Sequence, residues 1–133
     1  MKKADGLSEE QLRQRLVVSE TTLLGLVQHL TDAEHYWFGY TFGGDRRWAE
    51  VDFGMVVAPD RSARQVIADY RASIAASDAY IRAAEGPEAR TAHPVNDEPR
   101  TLRWVLAHVT SETVRHAGHA DILRELTDGV TGR

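Results

Sequence analysis

The chain has 133 residues, of which 42% are hydrophobic and 27% are charged, and its formal net charge is −4. This length suits one globular domain spanning residues 1–133, and the acidic balance, with no basic run, argues against a nucleic-acid surface. The absence of cysteine excludes disulfides, thiolate metal ligands and a cysteine nucleophile. Since no signal peptide and no apolar run of about 18 residues is visible, we expect a cytoplasmic protein without a membrane partner.

Four helices are predicted from capping motifs and apolar spacing. The segment Ser8-Glu9-Glu10-Gln11 has the pattern of a capping box and opens a short helix over about residues 8–15. Apolar residues at three- and four-residue spacing predict long helices over about 21–42, 62–85 and 101–128. No segment alternates in the way a strand does. The predicted fold class is therefore an all-α bundle of three long helices and one short helix.

Two long connections separate these helices. Residues 45–60 and 86–100 show no sustained apolar period and contain glycine and proline, so we predict loops. A loop as long as the first often covers a site in a domain of this size. Arg46 and Arg47 in this loop either meet the carboxylate of a substrate or lie in solvent. His93, in the second loop, is assigned no role.

The predicted fourth helix carries polar groups among its apolar residues. His108, Glu112 and His116 follow one another at four-residue steps, and His119 is three residues further on. Residues four apart on a helix differ by about 40° in direction, so the first three side chains line one stripe. Groups that bind metals or carry protons are costly to bury unless a partner satisfies them. The stripe therefore indicates a site.

Glu112 and His116 are spaced so that both can reach one metal ion, as the paired histidines of an HExxH helix do. A third ligand must come from another element, and His29 on the predicted second helix is the best candidate. Two histidines and one carboxylate leave further coordination positions open, as in catalytic zinc or ferrous sites. The alternative is that Glu112 pairs with Arg115 or lies in solvent, while His116 caps a neighbouring element.

The other histidines have alternative interpretations. His108 either replaces Glu112 or His29 in the ligand set or is a core histidine bonded to a backbone carbonyl, which is the commoner case. His119 lies about 60° from the ligand stripe, and it is either a positioning or proton-transfer residue or a surface residue. His35 is on a different face of its helix from His29, so we expect it to be exposed.

Two segments of the sequence resemble a known family: TTLLGLVQHLTDAEHYWF and TLRWVLAHVTSETVRHAGHADILRELTDGVTG. Over nearly its whole length the chain resembles the DinB/YfiT-like superfamily, most closely its actinobacterial branch of mycothiol-dependent transferases and uncharacterised DinB-like proteins. The resemblance implies a four-helix bundle that holds one divalent metal ion, generally zinc. Matched residue by residue, the implied ligands are His29, Glu112 and His116, and the glutamate variant resembles the mycothiol-dependent maleylpyruvate isomerases.

The function implied by the resemblance is a metal-dependent transfer of a low-molecular-weight thiol, mycothiol, to an electrophilic small molecule. Metal coordination favours the thiolate at neutral pH, where a free thiol with a pKa of about 8.5 is mostly protonated. His119 or a metal-bound water would move the proton, which makes His119 the candidate catalytic residue. Two alternatives remain: a non-catalytic, stress-linked helical module with a structural metal site, and a metal-dependent hydrolase.

The chain departs from the family pattern near its start. Relatives have a full helix before the segment matching KKADGLSEEQ, where this sequence has only a handful of residues. The resemblance therefore implies a bundle whose first long helix is shortened or missing, with apolar faces of the other helices left in water. We expect either a reading frame that begins late or a homodimer that covers these faces.

Overall fold

The computed structural model describes residues 3–131, which fold into a helical bundle. The elements, in chain order, are α1 (Glu9–Arg13), α2 (Leu23–Glu34), a π-helix (His35–Phe42), a 3₁₀ helix (Arg46–Trp48), α3 (Ala63–Ala83) and α4 (Leu102–Asp128). Residues 3–131 contain no β-strand, only two isolated bridges, so the predicted all-α fold class is confirmed. No helix in this part of the chain is both long enough and apolar enough to cross a membrane.

The predicted second long helix consists of two kinds of helix. α2 begins after Thr22, whose side chain caps the first turn, and ends at Glu34. From His35 the backbone widens into the π-helix, and at its end the Gly43 amide donates a hydrogen bond of 2.9 Å to the Phe38 carbonyl, five residues back. Apolar spacing does not distinguish an α-helix from a π-helix, so the transition at His35 could not be predicted from the sequence. Short π-helical stretches are frequent at functional sites.

The longest helix, α4, is capped at both ends as the sequence predicts. The Thr101 side chain accepts a hydrogen bond from the Trp104 amide. Gly129 ends the helix in the left-handed conformation with a φ of 78°, which glycine adopts without steric cost. These two caps fix the length of the helix that carries most of the candidate site residues.

One line of α4 side chains faces the core. Apolar spacing alone predicts that Val114, Ile122 and Leu126 also pack there, and this is wrong, because they lie on other sides of the helix with exposed fractions of 67%, 57% and 55%. The buried positions recur at steps of three, four and seven residues, and they are Leu102, Val105, Val109, His116 and Leu123. A histidine therefore occupies a core position of α4.

Helix α2 and the π-helix form the centre of the bundle. One core cluster joins α2, α3 and α4 and includes the fully buried Leu24 together with Val66 and Leu123. A second cluster joins the π-helix to α4 and includes Phe38 and Val105. Burying an apolar side chain of this size contributes about 1.5–3 kcal/mol. Because α3 and α4 pack mainly on this central segment, it fixes their positions.

A groove of about 270 Å³ runs between α3 and α4 over the central segment. Apolar side chains such as Phe38, Ile81 and Leu106 line much of it, together with the acidic residues Glu34 and Asp78. Such a groove exposes apolar surface that a partner could cover. That a homodimer covers it stays a prediction.

The connection between the π-helix and α3 folds back along α2. His29 Nδ1 lies 2.8 Å from the carbonyl oxygen of Phe53. Two residues further on, the backbone of Met55 passes so close to α2 that a Cβ atom added to Gly25 would stand 2.0 Å from the Met55 carbonyl oxygen. Gly25 is therefore needed for the loop to reach its position beside His29.

We expect Gly25→Ala to lower the free energy of unfolding by about 1–3 kcal/mol, because the added methyl group forces the Met55 segment away from α2. Gly118→Ala is the matched control, since among residues 3–131 no neighbouring side chain or loop stands within 4 Å of a Cβ added at that position of α4. A helical glycine costs about 0.5–1 kcal/mol relative to alanine, so this variant should be more stable than the wild type. Urea unfolding measures both free energies. Equal stability of the two variants would contradict the close approach.

Candidate metal centre

The fold brings His29, Glu112 and His116 together. One nitrogen or oxygen atom from each side chain lies within 4.8 Å of those from the other two. The ring centroids of His29 and His116 are 4.6 Å apart, and His116 Nε2 is 3.4 Å from Glu112 Oε2. The first residue comes from α2, and the other two come from successive turns of α4. The three side chains named by the sequence hypothesis thus surround one small volume.

A backbone carbonyl orients the ring of His29. Because a carbonyl oxygen only accepts hydrogen bonds, the contact of 2.8 Å with Phe53 assigns the hydrogen to His29 Nδ1. His29 Nε2 then keeps its lone pair, which is the form that binds a metal ion. This contribution of Phe53 cannot be predicted from the sequence, because every residue has a main-chain oxygen and the residue type does not indicate where it lies.

The buried ring of His116 has one unpaired nitrogen. Its exposed fraction is 6%, and its Nε2 atom has no hydrogen-bond partner among residues 3–131. Leaving a buried polar atom unpaired costs about 1–3 kcal/mol. The other ring nitrogen, Nδ1, is 3.3 Å from Nδ1 of His119, and when the hydrogen between them is on His116, Nε2 keeps its lone pair. The Nε2 lone pair beside Glu112 therefore fits a metal ion.

The charge states of the group also suit a cation. Burial lowers the pKa of His116, and His29 and Arg115 lower it further, against a smaller opposite effect of Glu112. Burial acts to raise the pKa of Glu112, but the hydrogen bond and charge of Arg115 outweigh it and hold that pKa below its usual value. At neutral pH the His116 ring is neutral and the Glu112 carboxylate is ionised, as metal ligands must be.

The alternative pairing of Glu112 with Arg115 is present as well. Both carboxylate oxygens of Glu112 accept hydrogen bonds from Arg115 Nη2. Arg115 is exposed, so this ion pair adds little to stability. A carboxylate has about four lone-pair sites, so it can keep the pair and still bind an ion. The two interpretations of Glu112 are therefore compatible, and the ion pair orients the carboxylate.

Two further histidines lie outside the group. His108 packs against both Trp37 and Trp104, with ring centroids 4.2 Å and 5.0 Å away. His35 stacks on Trp48 at 3.7 Å between centroids and is only partly exposed. The expectation that His35 is exposed is therefore wrong, because the 3₁₀ helix folds Trp48 back over it.

A cleft of about 450 Å³ opens beside the group, and His29 and Glu112 form part of its wall. This volume lies within the usual range of small-molecule sites, about 300–1,000 Å³. Both long connections contribute to the lining, the first with Ala49, Val51 and Phe53 and the second with residues 94–96. The first loop thus lines the cleft beside the candidate site.

Other residues considered from the sequence do not line this cleft. Arg46 and Arg47 are exposed, and Arg47 pairs with Asp45 at 2.6 Å. His119 is exposed, and its ring contacts Nδ1 of His116. It lines a different pocket together with Ile122. The residues that do line the cleft are His29, Ala33, Tyr36, Trp37, Ala49, Val51, Phe53, Pro94, Val95, Asn96, His108 and Glu112.

Comparison with known proteins identifies the family. The family model described as mycothiol-S-transferase matches residues 1–129, which is almost the whole chain and includes all three residues of the group. No curated protein and no solved structure matches the chain significantly. With its helical bundle and its His-Glu-His group, the chain belongs to the DinB-like mycothiol-S-transferase family.

Proposed function

We propose that this protein is a metal-dependent thiol transferase. His29, Glu112 and His116 would hold a divalent ion, and the two imidazoles and one carboxylate suit zinc. The substrates would be a low-molecular-weight thiol, mycothiol by family membership, and an electrophilic small molecule. The observation that carries the proposal is the convergence of three ligand atoms, two of them from residues in the wall of an open cleft, in a chain that belongs to this family.

Residues around the site would orient the metal ligands and bind the substrates. When bound, a divalent cation supplies positive charge that favours the thiolate form of a thiol at neutral pH. The Phe53 carbonyl keeps the His29 lone pair available, and Arg115 keeps the Glu112 carboxylate ionised and oriented. Aromatic rings of the cleft, such as Tyr36 and Trp37, exclude water and contact the electrophile.

A purely structural metal site is the main rival, and it would require a fourth protein ligand. Within residues 3–131, the group of potential ligands has three members. The packing of His108 against two tryptophan rings keeps it in the cleft wall, and His119 contacts the His116 ring at Nδ1. A group of three ligands leaves positions for a thiol, which supports the enzymatic function.

For His119 the proposal is a positioning role exerted through His116. The two Nδ1 atoms are 3.3 Å apart, so His119 accepts the hydrogen of His116 and fixes its tautomer and ring orientation. Such a contact acts on a ligand rather than on a substrate. A direct proton transfer by His119, the other role that the sequence leaves open, would require it to reach the cleft.

We expect the wild-type chain to bind one zinc ion, and His29→Ala, Glu112→Ala and His116→Ala to lose stoichiometric binding. Elemental analysis after zinc loading and desalting measures the content. By mass action, zinc should also raise the Tm of the wild type and not that of His116→Ala. His35→Ala is the control, because its ring stacks on Trp48 outside the group. One retained zinc per chain in His116→Ala would refute the site assignment.

His119→Ala should weaken zinc affinity about 10–100-fold, the usual effect of removing a partner of a metal ligand. Competition with a chromophoric chelator measures this change, and His93→Ala, which removes a ring stacked on Tyr40, serves as the control. An unchanged zinc affinity combined with a lower kcat would instead assign proton transfer to His119.

The zinc-loaded wild type should accelerate the reaction of mycothiol with monochlorobimane, measured by the fluorescence of the thioether. His116→Ala should lose about 100-fold or more of this rate, since several kcal/mol of charge stabilisation leave with the ion. His35→Ala should keep it. Hydrolysis of an ester panel without thiol would favour the hydrolase, and inactivity in both assays at full zinc content would favour the non-catalytic module.

A further inference from the structure

Aromatic rings form one continuous wall of the cleft beside the metal-site residues. The ring of Phe53 lies 5.9 Å from that of His29 and 5.3 Å from that of Tyr36, between centroids. Tyr36 in turn contacts Trp37 at 5.1 Å, and Trp37 contacts His108 at 4.2 Å. All five residues line the cleft. The wall thus begins at a metal-site residue and extends along the cleft.

Two rings of this wall come from the π-helix. Tyr36 and Trp37 are neighbours in sequence, and both reach the cleft from the first turn of the π-helix. The wall ends at His108, and Trp104 stacks on this ring with an angle of 9° between ring planes. Faces and edges of rings held in this way favour stacked or edge-to-face contacts with another planar ring.

Positive charge is missing from the lining. Among residues 3–131, no lysine or arginine lines the cleft, and its one carboxylate is Glu112. Arg47 is paired with Asp45, and Arg115 is paired with Glu112. Arg100 stands over Trp104 at 5.1 Å and is paired with a glutamate at 2.7 Å.

The metal-site charge would not compensate for this lack. Arg115 and a divalent ion together carry three positive charges, and the Glu112 carboxylate and one thiolate balance two of them. The remaining charge belongs to Arg115, which is exposed to solvent and does not line the cleft. A second anion in the cleft would then be desolvated without a partner, which is strongly unfavourable.

We infer that the electrophile is a planar, uncharged molecule that stacks on the wall formed by Phe53, Tyr36 and Trp37, and that the cleft rejects the same ring when it carries a carboxylate. This inference rests on the proposed thiol transfer for its reaction, and on the cleft alone for its selectivity. In the reaction with an aryl chloride, the thiolate sulfur forms a bond to the ring carbon. The carbon–chlorine bond breaks, chloride leaves with the electron pair, and the thiol proton passes to solvent.

Binding of two unreactive rings tests the selectivity without catalysis. Isothermal titration of the full chain with 1,3-dinitrobenzene and with 3,5-dinitrobenzoate gives the two dissociation constants, both in zinc-loaded protein saturated with mycothiol and after removal of metal by a chelator. We expect the uncharged ring to bind about tenfold more tightly or better, since the carboxylate loses hydration without gaining a cation. Equal or tighter binding of the benzoate in either form, or no binding of either ring, overturns the inference.

A cation introduced into the cleft tests the cause. Val51→Arg adds a guanidinium to the lining and should tighten benzoate binding about tenfold, a gain typical of a new desolvated charge pair. Ala76→Arg is the matched control, because it adds the same charge on the exposed face of α3, which does not line the cleft. An equal gain in both variants would mean that net charge, and not the lining, sets the preference.

A conjugation assay separates this inference from the proposed function. Mycothiol is reacted with 1-chloro-2,4-dinitrobenzene and with 4-chloro-3,5-dinitrobenzoate, and each rate is divided by the rate without protein. A larger acceleration for the uncharged ring supports both proposals, and a larger one for the benzoate overturns the inference alone. If neither reaction is accelerated while the binding preference holds, thiol transfer fails and the selectivity of the cleft stands.

Discussion

A buried imidazole nitrogen that has no hydrogen-bond partner in the described part of the chain is the constraint on which the candidate site depends. His116 occupies a core position of α4, between the apolar residues that hold this helix against α2, so solvation cannot satisfy its Nε2 atom. Such an atom is costly in an apolar interior unless a ligand binds it. The same packing keeps His116 4.6 Å from His29 between ring centroids. The proposed metal binding would therefore depend on helix packing, since loosening the contact between α2 and α4 would separate the two imidazoles.

The loop after the π-helix completes what the helices begin. Its backbone approaches α2 where Gly25 leaves room, and it supplies the Phe53 carbonyl that fixes the tautomer of His29. Its side chains also close one side of the cleft. The same short segment thus orients a metal-site residue and contacts the space in which a substrate would lie. A loop with this double role is under stronger constraint than its irregular sequence indicates.

The local features of the molecule follow from the sequence alone. The capping box at Ser8, the Thr101 and Gly129 caps and the all-α class each depend on interactions within a few residues of one another. The spacing of Glu112 and His116 also has a local cause, because residues four apart on a helix point in nearly the same direction. Resemblance to known sequences then singles out His29, more than 80 positions away. These predictions need no knowledge of how the helices pack.

Tertiary structure alone decides which faces of the helices meet and what lies between them. Val114, Ile122 and Leu126 have the spacing of core residues but remain exposed. Apolar residues lie on more than one side of α4, and their spacing alone does not determine which side packs against the other helices. The π-helix, the stacking of His35 on Trp48 and the carbonyl contact to His29 depend on groups brought together from separate segments. Sequence determines which side chains a helix can offer on one stripe. Whether that stripe meets a partner, a cleft or water depends on contacts between distant residues, which follow only once the whole chain has packed.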